Sequence, residues 1–119
     1  MKMFTNSDQT SKLIELGFEK PPKKGILFKS NIGDCHTDLM VAEENYSIGE
    51  LIEMLPQYLE YKGGVVGIPI DYYSLTIRKN VVMYCDPYMD WVEIQCDDHK
   101  ELIDNLYDMV TVLKEEEVI

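Results

Sequence analysis

The feature that most constrains this chain is an apolar series near its end, Leu102, Ile103, Leu106, Met109, Val110 and Leu113. The spacing places all six on one side of an α-helix. A helix this short is marginal by itself in water, so the stripe has to be covered by another layer of the fold. Asp98 and Glu101 stand ahead of it in the spacing of a capping box. Glu101, Asp104, Asp108 and Glu115 make up its outward, acidic face, and the run Lys114–Glu117 is expected to fray into solvent.

Upstream, the layer that could cover the stripe is legible as strands. From Asp71 the residues alternate, with Tyr73, Leu75 and Ile77 on one face and Tyr72, Ser74, Thr76 and Arg78 on the other. "VVMYC" follows across Lys79 and Asn80, a tight turn in which Asn tolerates positive φ. "WVEIQC" alternates again, with Val92, Ile94 and Cys96 opposed to Trp91, Glu93 and Gln95. Three consecutive strands predict an antiparallel meander.

Two further helices are marked by their ends. In "YSIGELIEMLP", Ser47 and Glu50 form a capping box, Tyr46 and Leu51 have the spacing of a hydrophobic staple, and Pro56 marks the stop. In "TNSDQTSKLIELGF", Leu13, Ile14 and Leu16 run up to Gly17, which suits the left-handed residue after a helix end, with Phe18 folding back on Leu13. "ILFKS" and "DLMVA" are short strand candidates, while "EKPPKKG" and "YKGGVVGIP" break regular structure. The fold class that follows is α+β, a mainly antiparallel sheet with a three-stranded meander and helices packed on one face. With 119 residues the chain is expected to form a single domain over positions 1–119.

Composition narrows the function classes. The 45% of hydrophobic residues supplies a core, and no run approaches the length of a membrane span. The opening "MKMFTNSDQTSK" lacks the apolar segment of a signal peptide, and three cysteines form no disulfide framework, so a cytoplasmic setting is expected. The net charge of -11 is uneven, because residues 34–60 and 85–119 hold 18 of the 22 acids. Such a chain is repelled by phosphate backbones and anionic membranes, which disfavours direct nucleic-acid or membrane binding and favours a basic protein partner.

Two clusters invite chemistry, "NIGDCHTDLM" around Cys35 and His36 and "QCDDHK" around Cys96 and His99. A composite metal site would need both segments to meet, but adjacent residues diverge, and Cys96 falls on the apolar face of its strand. A thiol nucleophile needs a lowered pKa, which neighbouring acids oppose. Asp34 with Asp38, and Asp97 with Asp98, fit loop or capping roles better than a Mg²⁺ site, and "GGVVG" lacks the rest of a phosphate loop. No catalytic residue, metal site or cofactor is therefore expected. The residues expected to bind are an aromatic set, Tyr72, Tyr88 and Trp91, together with Glu101, Asp104 and Asp108.

"SIGELIEMLP", "YYSLTIRKNVVMY" and "LIDNLYDMVTVLKEE" together resemble a group of small acidic proteins of unknown function carried by prophages and mobile elements of gut Bacteroidetes. The resemblance implies a genomic setting and no site residues. Accessory proteins of such elements often bind host or rival proteins. The expectation is thus a non-enzymatic, protein-binding accessory protein. Two alternatives are a DNA mimic, with Glu101, Asp104 and Asp108 spaced along one face, and a small metal-dependent enzyme built on the Cys and His clusters.

Overall fold

The computed structural model describes residues 2–22, 24–32, 35–60, 72–86 and 92–119, with backbone alone for 24–32, 35–43, Glu60 and Tyr72. Helix α1 (Ser7–Glu15) opens within the polar cap candidates of "TNSDQTSK", on a capping box: Asn6 Oδ1 accepts from the Gln9 N–H, and Gln9 Oε1 accepts from the Asn6 N–H. It closes as the Gly17 spacing predicts. Gly17 takes φ 105° and the Phe18 N–H donates to the Leu13 carbonyl.

Strands β1 (Lys24–Ile32) and β2 (Cys35–Glu43) pair antiparallel as a separate two-stranded sheet, longer than the two apolar segments suggest. Helix α2 (Ile48–Met54) is capped reciprocally by Ser47 and Glu50, and Tyr46 and Leu51 are both buried as the staple requires. It stops when Leu55 turns extended ahead of Pro56, because the ring of a proline disfavours helical backbone in the residue before it.

The main sheet has four strands in the order β3 (Tyr58–Glu60), β4 (Tyr72–Arg78), β5 (Val81–Cys85), β6 (Val92–Cys96), all antiparallel. The meander is thus four-stranded, not three. β3 escaped the sequence pattern because three residues are too few to show an alternation. The β4–β5 connection is the expected two-residue turn, but Lys79, at φ 55°, takes the left-handed position and not Asn80.

Register decides which side chains face the helices. Leu75, Tyr84 and Ile94 lie in one cross-strand row, and Ile77, Val82 and Cys96 in another. Both rows join Leu13, Leu51, Leu55, Tyr73 and the helical stripe in one core. Val92 departs from its expected face. Tyr84 pairs with Ile94 but Cys85 pairs with Val92, so Glu93 is an extra residue at a bulge, and Val92 swings out to 47% exposure.

Helix α3 (Leu102–Glu115) lies across α2, β5 and β6. Ile103, Leu106, Met109, Val110 and Leu113 are buried and Leu102 is half-buried, as the stripe predicts. Its ends differ from expectation. Glu101 is itself the N-cap and makes no side-chain cap bond, so the Asp98–Glu101 capping box does not form. At the other end the chain does not fray: Glu117 takes φ 58°, the Val118 N–H donates to the Leu113 carbonyl, and the Lys114 ammonium sits 5.3 Å over the Phe18 ring.

Candidate functional site

The carboxylates of α3 have two separate fates. In the first turn, Asp104 Oδ1 accepts from Lys2 Nζ at 2.9 Å and from Gln9 Nε2 at 2.8 Å, and Glu101 Oε2 accepts from the Lys2 backbone N–H at 3.0 Å. Burial alone would raise the Asp104 carboxyl. The bonds from Lys2 and Gln9, with the charges of Lys2 and His99, outweigh it and hold the group below the usual aspartate value. The solvent-exposed row expected of Glu101, Asp104 and Asp108 is therefore corrected. All three are half-buried, and the first two fasten residues 2–9 to α3.

Asp108, one turn further on, faces a different neighbour. Its Oδ2 lies 2.8 Å from His99 Nε2. Together with Asp98 it lines an open groove of about 290 Å³ whose other walls are Ile94, Gln95, Cys96, Thr111 and Val112. The groove runs between β6 and α3, on the sheet's outer edge, since β6 ends the strand order and no strand among the described residues pairs with its far side. Its floor is apolar and its rim acidic. Burial first, then the charges of Asp108, Asp98 and Asp97, pushes the Cys96 thiol up to about 11.

The loop that carries Asp98 and His99 is held by a residue the sequence pattern passed over. Asn105 is fully buried; its Oδ1 accepts from the His99 N–H at 3.1 Å, and its Nδ2 donates to the Asn80 carbonyl at 2.6 Å and the His99 carbonyl at 3.0 Å. Asn80 Nδ2 donates in turn to the His99 carbonyl at 2.6 Å. The β4–β5 turn and the loop before α3 are thus clamped together through one buried amide. The available signal was an Asn on the apolar side of the stripe, where an uncharged polar residue survives only if its bonds are met.

The His99–Asp108 pair has the form of a base and its orienting acid. Among the described residues Cys96 makes no hydrogen bond to His99, and a thiol raised to about 11 holds little thiolate near neutrality. Among the described residues no group of three His, Cys, Asp or Glu side chains is placed to hold a metal ion. The composite of the two Cys and His clusters needs Cys35 and His36, whose side chains lie outside the described residues. Tyr88 and Trp91 also lie outside them, as do Asp34 and the "GGVVG" segment, and Tyr72 is placed by backbone alone, opposite Glu60. No helix among the described residues is long and apolar enough to cross a membrane.

No protein-family model matches the chain, and neither the curated proteins nor the solved structures compared with it show significant similarity.

Proposed function

We propose that this chain is a non-enzymatic accessory protein that binds a basic protein partner through its acidic side, in the prophage or mobile-element setting that the sequence resemblance implies. The observation that carries the proposal is the acid-rimmed apolar groove beside the open edge of β6. An apolar floor supplies contact area and a carboxylate rim selects for positive charge, which is the usual division of labour at a protein interface. Trp91 immediately precedes β6 in sequence, and it is proposed, with Tyr72 and Tyr88, as the aromatic set a partner would meet. The DNA-mimic alternative is weaker, because two carboxylates of the row it needs are engaged by Lys2 and Gln9.

The test is capture of a partner from a host lysate, followed by binding kinetics with the purified, identified protein. Association should slow as salt shortens the Debye length from about 10 Å to about 3 Å, and Asp98→Lys with Asp108→Lys should slow it further. Trp91→Ala should instead speed dissociation. A partner insensitive to salt and to both charge reversals would reduce the acidic side to a solubility device.

A further inference from the structure

Sheet edges are usually blunted by charge, bulges or cover, because their free N–H and C=O groups invite another strand. Among the described residues, β6 is blunted over only part of its length. The bulge and Glu93 occupy its start, while Ile94, Gln95 and Cys96 run on in regular register with Met83 and its neighbours on β5. Ile94 and Cys96 turn toward the core and Gln95 toward solvent. Beside the regular half lies the groove, so a strand added at this edge would drop every second side chain between Cys96 and Val112.

We infer that the regular half of β6 accepts an extended segment of the partner as a fifth strand, with an apolar side chain seated in the groove and Lys or Arg on either side of it. This deepens the proposal of a basic partner and rests on it. The commitment to a basic segment comes from charge: Asp98 and Asp108 line the groove, Glu93 stands in the strand and Asp97 directly follows it, in a chain of net charge -11. The same charge argues against a second copy of this chain as the occupant, since two such edges would bring like rims together. Main-chain hydrogen bonds would supply much of the affinity and the groove the sequence preference.

The experiment uses the intact protein and a synthetic library of short peptides that alternate Lys or Arg with Val, Ile, Leu or Phe. The best binder should slow amide exchange at Ile94, Gln95 or Cys96. Methylating alternate peptide nitrogens should cost it about tenfold in affinity by removing the edge hydrogen bonds. Val112→Arg should weaken it about tenfold without moving the melting temperature, since Val112 is partly exposed; Asp98→Asn, at an exposed position, gives a second variant that leaves folding untouched. Salt-sensitive binding with no protection at β6, and indifference to methylation and to both variants, would overturn strand addition while leaving the acidic-surface proposal standing. Absence of binding by every library member, with a captured partner still salt-sensitive, would also overturn it. Dimerisation of the protein with protection at β6 would replace the peptide by a second copy.

Discussion

The first turn and the middle of α3 carry the same side chains at helical spacing, yet one is closed and the other open. Glu101 and Asp104 meet Lys2 and Gln9 and are consumed in holding residues 2–9 against the helix. Among the described residues Asp108 pairs with the loop histidine, and it keeps a face on the groove. Charge and periodicity are alike in both places; what differs is which distant part of the chain arrives. A carboxylate on the polar face of a helix thus says where a partner can bind only after the intramolecular partners are subtracted.

The sharpest way to break the comparison is to remove the platform common to both regions. Leu106 has no exposure, and Leu106→Asp buries a charge without a partner, so cooperative thermal unfolding should be lost. Next in size is the clamp. Asn105→Ala leaves the His99 N–H and two carbonyls without the amide, and it should cost about 3 kcal/mol in a denaturant titration.

The closed region should respond to its own substitution and to acid. Asp104→Ala is expected to cost about 1 to 2 kcal/mol, the worth of hydrogen bonds to a charged group. The folded-state pKa of Asp104 is lowered, so its contribution is complete above the ordinary aspartate value and fades as pH falls through the lower, folded-state value. A melting series in acid should therefore show the wild type converging on Asp104→Ala; a constant gap between them would contradict the Lys2 and Gln9 bonds.

The open region should be nearly silent in stability. Asp98→Lys should change it by no more than about 0.5 kcal/mol, because Asp98 is exposed and the pattern of carboxylates around it is repulsive. Chemistry gives the same region a separate readout: with its thiol raised to about 11, Cys96 should resist mass-mapped alkylation near neutrality and gain reactivity steeply as pH climbs. Rapid labelling of Cys96 near neutrality would contradict its burial first, and the gathering of carboxylates around it second.

Much of the scaffold was legible because each element carried a local mark. Ser47 with Glu50, Gly17 with Phe18, and the stripe of α3 encode caps, stops and a buried face within a few residues of one another. The alternation of Tyr73, Leu75 and Ile77 did the same for β4. What escaped was set by partners far away in sequence. β3 exists because Tyr58, Leu59 and Glu60 find β4, and the outward turn of Val92 depends on a register slip against Cys85. The site divides likewise. Asp108 stayed with the open surface, whereas the engagement of Glu101 and Asp104 is with residues about a hundred positions earlier, and no local pattern announces it.

The bonds from Lys2 to Glu101 and Asp104 also order events in time. Their sequence separations are 99 and 102 residues, so during synthesis the early segment must wait for almost the whole described chain before it can dock. Until α3 emerges, the apolar rows of β4, β5 and β6 lack the buried stripe that contributes most of their helical cover, and exposed apolar sheet is what chaperones recognise and aggregates recruit. Docking of the first residues on α3 is then among the last contacts to form, a step that costs the entropy of closing a long loop.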